Sequence, residues 1–279
     1  MSRGRRARFE RVRSAAAAVL LIGCACLLRC DPARAADWSV TLGAKAWVST
    51  WSTWGLDQKP YNGSAYQIVV PLESNTEIAL TPVLTAGYGK WRVAFSYMTK
   101  TKYDLTGAEP AGPLQHPIGV RSEIDSTLYY YVLPRLAATV GYKQLRQQFG
   151  TTLKWSGPTL GLVGTAPLGA PGLDAYGTLA YGFFRLDLPS GQTDAYGHTS
   201  RSAGYELGEV GLSYNVGAIT SSWASHFSVT LGYRTQTVTT KSYGLSANPL
   251  SDPAAAAGYT QVDVRDHTQG LTLSLVGTF

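Results

Sequence analysis

Beyond residue 35 this sequence has no cysteine, no net charge and no long apolar run. Its three cysteines, Cys24, Cys26 and Cys30, all lie near the N-terminus, so the rest of the chain can hold no disulfide and offers no thiolate chemistry. The formal charge of +6 is local too: eight arginines against Glu10 and Asp31 within the first 35 residues account for all of it. Residues 36–279 carry sixteen basic and sixteen acidic side chains, scattered along the chain. No basic footprint for nucleic acid remains. After the leader, no stretch approaches the ~18 apolar residues of a transmembrane helix.

What is present begins with that leader. Residues 1–14 are Arg-rich, residues 15–28 are an apolar run, and Ala33-Arg34-Ala35 supplies a small-residue cleavage site, the order of a secretory signal peptide. The run would span about 21 Å as a helix, short of the ~30 Å hydrocarbon core. We therefore expect cleavage after Ala35 and a mature chain of residues 36–279. Leu21-Ile22-Gly23-Cys24 is lipobox-like and Arg5-Arg6 is a twin-Arg pair, but the first is followed by more apolar sequence and the second lacks the rest of its motif.

The mature chain is rich in Gly (30 in the whole sequence) and Tyr (17), with charged residues at 15%. Such a composition favours strands and turns. Its hydrophobic period is two. Trp38, Val40, Leu42, Ala44, Ala46 and Val48 alternate with Ser39, Thr41, Gly43, Lys45, Trp47 and Ser49, and the pattern returns from Ile78 to Tyr88, Trp91 to Tyr97, Ile124 to Val132, Leu136 to Tyr142, Phe227 to Tyr233 and Leu271 to Phe279. In 173–188 and 202–216 neither face stays apolar, and the slip around Leu207 to Val210 suggests a bulge. The pattern predicts ten strands, with eight or twelve as alternatives; twelve would require Tyr66 to Leu72 to pair as an extra hairpin. Connections alternate between tight turns (Gly89-Lys90, Pro134-Arg135, 168–171, 217–221) and long loops (53–75, 104–121, 149–156, 188–201, 240–259). This predicts an all-β fold, a transmembrane antiparallel up-and-down β-barrel with both termini in the periplasm. A soluble sandwich also alternates, but its outward face should be charged, whereas here one face is apolar and the other is mostly Ser, Thr and Gly. Trp38, Tyr88 and Trp91 sit where an interfacial girdle requires aromatics.

The last strand, Gly270-Leu-Thr-Leu-Ser-Leu-Val-Gly-Thr-Phe279, resembles the C-terminal signature of bacterial outer-membrane β-barrel proteins. The resemblance covers the mature chain at the level of the class, and implies an outer-membrane location, outer-membrane lipid around the barrel, and recognition of Leu271, Leu273, Leu275 and Phe279 by the barrel-assembly machinery.

If lipid faces the apolar series, the lumen receives Lys45, Arg92, Arg121, Glu123, Asp125, Lys143 and Arg234. In a narrow tube such groups either pair and plug the bore or line a narrow polar conduit, since an unpaired charge there is costly. Catalysis is not expected. Of the four histidines, His116 and His198 fall in loops and His226 and His267 on strands. Asp263, Asp266 and His267 are read as the only close carboxylate–imidazole grouping, yet Asp266 and His267 should point to opposite faces, and Asp263 lies about 13 Å along the strand from His267. No nucleophile elbow, metal-spaced cluster or phosphate loop is present, so no cofactor and no metal are expected. A narrow porin-like channel and a rim-sited hydrolase are the competing readings. Specificity is expected in loops one, two and five, where Trp51, Trp54, Tyr61 and Tyr66 serve as girdle and loop packing or, alternatively, would suit a sugar or protein partner whose identity the sequence does not give.

Overall fold

The structure, a computed structural model, describes residues 38–61, 64–107, 118–149, 151–216, 227–245 and 261–279. The expected leader, His116, His226 and the turn at 217–221 lie outside them. Eleven strands are formed: β1 (Trp38–Tyr61), β2 (Ser64–Ser74), β3 (Glu77–Tyr88), β4 (Trp91–Gly107), β5 (Ile118–Leu133), β6 (Leu136–Phe149), β7 (Thr151–Pro167), β8 (Leu173–Asp187), β9 (Ser200–Asn215), β10 (Phe227–Gly244) and β11 (Gln261–Thr278). Each pairs antiparallel with its neighbours, and β11 returns to β1, from Thr41↔Thr278 to Ser52↔His267.

The ring has ten positions, because β2 and β3 follow one another along the long β1. Ser52 to Tyr61 pair with β2 and Trp38 to Ser49 with β3, the break falling at Asn75-Thr76. Tyr66 to Leu72 thus extend an existing wall strand, and most of the first expected loop is paired. The strands also reach into the loops expected at 104–121, 149–156 and 240–259. The tight turn at Gly89-Lys90 needs its glycine, which sits at φ 57°. Between β3 and β4 the ladder stops at Val83↔Ser96 and resumes at Ser74↔Leu105. Pro82 has no N–H to donate, and β4 bulges between Met98 and Thr101; a bond from Thr99 Oγ1 to the Leu80 carbonyl, 3.1 Å, bridges the interval.

The outer surface divides in two along the strands. From Trp38 to Val48 on β1, Ile78 to Tyr88, Trp91 to Phe95, Leu160 to Leu162, Val229 to Tyr233 and Leu271 to Leu275, exposed outward side chains are apolar. On β1 that stretch is about 33 Å long, or about 24 Å high when tilted by ~45°, the height of an outer-membrane belt. Aromatics mark its lower edge: Trp38 against Tyr88 with ring centroids 5.0 Å apart, and Trp91 against Tyr130 at 4.6 Å. No helix among the described residues is long and apolar enough to cross a membrane; strands make the crossing.

Above the belt the two faces exchange character. Outward positions become Lys100, Lys102, Arg146, Arg185, Glu206 and Arg265, while Leu145, Trp155, Phe184, Leu186, Tyr205, Val238 and Val264 turn inward and are buried. This corrects the bulge expected near Leu207 to Val210: the β9 register runs unbroken through Ser200–Asn215 on both sides. Ala203, Tyr205, Leu207, Glu209, Gly211 and Ser213 all face inward. What changes at that height is the solvent outside the wall, from water to lipid. β1 continues thirteen residues past Val48, so the protrusion rises roughly 30 Å above the belt.

Leu273, 52% exposed, lies in the belt between Leu271 and Leu275. Leu273→Arg is expected to cost about 2–4 kcal/mol in lipid-vesicle unfolding. A neutral result would mean that the two faces of β11 are inverted.

Candidate functional site

The lumen is where this sequence places charge, and it is filled in layers. The layer nearest the periplasm centres on Glu209. Its carboxylate accepts from Lys45 Nζ at 2.9 and 3.0 Å and from Tyr176 OH at 2.9 Å, with Arg234 Nη1 at 3.5 Å. Tyr176 lies along the inner wall over β9 and β10 to reach it, because these strands offer Gly211 and Gly232 there; a Cβ on either would collide with the tyrosine ring or hydroxyl. The guanidinium of Arg234 also lies over the Trp47 ring, 5.0 Å from its centroid.

The middle layer centres on Glu123. Lys143 Nζ is 2.7 Å from one of its oxygens, while Arg121 Nε and Nη2 donate to the other at 3.1 and 2.9 Å, as does Gln236 Nε2. Lys143 also lies 3.4 Å from Asp125. Higher still, Asp266 accepts from Arg121 Nη1 at 2.6 Å, from Trp51 Nε1 at 2.7 Å and from Gln147 Nε2. Four cations (Lys45, Arg121, Lys143, Arg234) thus meet four carboxylates (Glu123, Asp125, Glu209, Asp266) in two ion-pair groups, joined through Gln236, which accepts from Arg234 Nη2 at 3.2 Å and donates to Glu123. Each buried charge has a partner of opposite sign, the condition under which charges are tolerated away from water.

Above the charges lies an apolar plug. Trp54, Leu145, Leu153, Trp155, Phe184, Leu186, Tyr205, Val238 and Tyr243 form one buried cluster, and Trp51 packs with Leu72, Tyr103 and Leu105 in a second. Phe184 and Tyr205 stack at 4.8 Å, and Trp155 Nε1 donates to Thr240 Oγ1 at 2.9 Å. Below the plug, a cavity of about 40 Å³ remains beside Lys45, Trp47, Glu123, Lys143 and Arg234. That volume has room for a few water molecules.

Six of the seven lumen residues expected from sequence meet in this network. Arg92 does not: it faces inward at the periplasmic mouth, exposed, over the Tyr131 ring at 5.0 Å. The sequence reading missed Glu209, Gln236, Gln147 and Tyr176, weighed Asp266 only as a partner for His267, and overlooked Asp194 beside His198, which the loop brings within 3.2 Å. Of the loop aromatics, two are packing residues. Trp51 and Trp54 are buried in the lumen, 0% and 5% exposed, so neither can present a ring to an extracellular partner. Tyr61 and Tyr66 belong to the paired ends of β1 and β2, and their side chains lie outside the described residues. Leu271, Leu273, Leu275 and Phe279 are exposed on the outer face, with the Phe279 backbone exchanging hydrogen bonds with Val40 at 2.8 and 3.0 Å.

Above the belt the described residues include two histidines, His267 in the wall and His198 in the β8–β9 loop. His267 faces outward, with Nδ1 2.9 Å from Thr237 Oγ1, while Asp263 is engaged by Lys241 Nζ at 2.8 Å and Asp266 points into the lumen. His198 Nδ1 is 3.2 Å from Asp194, which also accepts from the amides of Tyr196 and His198 and from Arg201 Nε. Asp194 further accepts from the Gly244 amide at 3.3 Å, pinning the β8–β9 loop to the end of β10. Burial acts to raise the Asp194 pKa, but the His198 amide and the Arg201 guanidinium outweigh it and hold the carboxyl below its usual range. With a depressed folded pKa, this pin stabilises fully above the ordinary value of about 3.9 and weakens as pH falls through the folded one. Among the described residues no group of three His, Cys, Asp or Glu is placed to hold a metal.

No protein-family model matches the chain, and no curated protein matches it. Solved structures do. The outer membrane protease OmpT from Escherichia coli superposes with a TM-score of 0.55 at 12% identity, covering 86% of this chain and 97% of that one. The outer membrane protein OprG from Pseudomonas aeruginosa gives 0.32 at 13% identity over 90% and 99%, and a Pseudomonas aeruginosa FadL homologue 0.35 at 10% over 87% and 90%. The first is a likeness of fold, and the other two are too distant to carry argument. A closed ten-position barrel with a lipid-facing belt, sharing the fold of a bacterial outer-membrane protein, is itself an outer-membrane β-barrel.

Proposed function

We propose that this protein is a sealed, non-enzymatic barrel whose activity resides on its outer surface and extracellular protrusion, with no solute passing through its lumen. One observation carries the reading: the bore is closed twice over, by an electroneutral charge network and by the apolar plug above it. A conduit would need its charges solvated by a water column, and Arg121, Lys143, Glu123 and Asp266 are instead buried and mutually paired, with only a small cavity beside Glu123 and Lys143.

OmpT from Escherichia coli is described as a protease, which makes a hydrolase at the rim the competing reading. Here the groups a hydrolase would need are already engaged. A general base needs a carboxylate free to orient it and a space beside it for the reacting atom. Asp194 does lie beside His198, at 3.2 Å, but the pair belongs to the loop pin that also engages backbone amides and Arg201, and no nucleophile joins it among the interactions described; Asp263 is held by Lys241. Purified folded protein is expected to leave a random peptide library uncut, with His198→Ala and His267→Ala indistinguishable from the parent. Cleavage that either substitution abolished would overturn the reading.

The exposed C-terminal series supports recognition by the barrel-assembly machinery. Phe279→Ala keeps the backbone bonds to Val40 and is expected to reduce the amount inserted in cells far more than the yield of refolding in detergent. Equal losses in both would indicate simple destabilisation.

A further inference from the structure

Just above the belt, one flank of the barrel is basic. On β4 the outward Tyr97 is followed, past the bulge, by exposed Lys100 and Lys102; on β6 the exposed Tyr142 is followed by exposed Arg146; β7 adds the outward, half-buried Lys154. The ladder sets Arg146 directly opposite Lys154, with Ser122 on its other side and Lys100 in the bulge beyond. Like charges facing one another across a sheet repel. Among the described residues no carboxylate forms an ion pair with Lys100, Lys102, Arg146 or Lys154, whereas neighbouring Arg185 has Asp187 at 2.9 Å. The far flank is different, with Lys241 neutralised by Asp263 at 2.8 Å and Glu206 exposed. Two carboxylates lie on this flank, Asp104 two places beyond Lys102 and Asp187 opposite Lys154 in the ladder, but the second is bonded to Arg185, and Lys100, Lys102, Arg146, Lys154 and Arg185 still outnumber them.

We propose that this flank is a docking site for a phosphorylated lipid of the outer leaflet, its phosphates held by Lys100, Lys102, Arg146 and Lys154. The position of the cluster identifies the occupant. It stands on the side of the belt away from the tight turns, directly over exposed Ile124, Tyr142 and Leu160. A molecule carrying phosphates above several acyl chains satisfies both surfaces at once, and a soluble anion satisfies only the upper one. The site is independent of whether the lumen is sealed.

The test is a native mass-spectrometry titration of the folded full-length barrel in detergent, using bisphosphorylated lipid A and its dephosphorylated form as probes. Changing all four residues to Gln is expected to weaken binding of the bisphosphorylated lipid by at least about tenfold, given the attraction of each basic residue to an anionic headgroup. The dephosphorylated lipid should bind the parent barrel comparably weakly. Lys241→Gln with Arg265→Gln should leave affinity unchanged, and unaltered β-sheet circular dichroism shows that all variants fold. Equal binding by the fourfold variant, or equal binding of the two lipids, would overturn the proposal. Displacement of lipid by millimolar inorganic phosphate would assign the cluster to free phosphate and overturn it as well.

Discussion

Arg121→Met is expected to remove about 3–5 kcal/mol of folding stability, measured by urea unfolding in lipid vesicles. The side chain is fully buried and bridges Glu123 and Asp266, so its loss leaves Asp266 with neutral donors only, Trp51 and Gln147. Much of the cost is that stranded charge, not the bond itself. Adding Asp266→Asn to the variant should therefore restore part of the loss, and Arg92→Met, at the exposed mouth, should cost no more than about 1 kcal/mol for its aromatic contact. If Arg121→Met cost as little as Arg92→Met, water would have to reach Asp266 and the bore would not be dry.

Trp155→Ala is the second large effect, also about 3–5 kcal/mol. The indole is 1% exposed in the centre of the plug, and its removal both opens a cavity and takes the donor from Thr240. Because the protruding half of the barrel is an ordinary water-soluble core wrapped in a sheet, the loss should persist in detergent, where bilayer effects are absent. Trp38→Ala, 75% exposed at the lower girdle, provides the contrast: its effect should appear in vesicles and shrink in micelles. Equal losses for both residues in both media would mean that the two halves of the barrel do not differ as described.

The membrane half of this fold is legible from sequence because lipid outside and polar lumen inside impose opposite chemistries on alternate residues. Trp38 to Ser49 show it without ambiguity. The protruding half follows the same parity with the chemistry reversed, so a reader who expects one apolar face per strand loses the phase at the crossing. This is what happens at Phe183-Phe184-Arg185-Leu186 and again near Leu207. Glu209 lies in the second of those stretches and went unassigned for that reason, although Tyr205, Leu207, Glu209 and Gly211 form one inward series once the inversion is known. Lys45, Arg121, Glu123, Asp125, Lys143 and Arg234 could be placed in the lumen by parity alone. Their pairing could not: Arg121 meets Asp266 across 145 residues, through the radius and register of the closed ring. The loops were overestimated because β1 and β2 continue pairing beyond the belt, where alternation no longer has its membrane sign.

Single-channel recording in planar bilayers bears most directly on the sealed lumen. The account predicts that the refolded parent inserts and stays silent at every potential. Steady openings whose ion selectivity is inverted by Arg234→Glu would contradict it, since current would then be passing through the charge network that is described here as the seal.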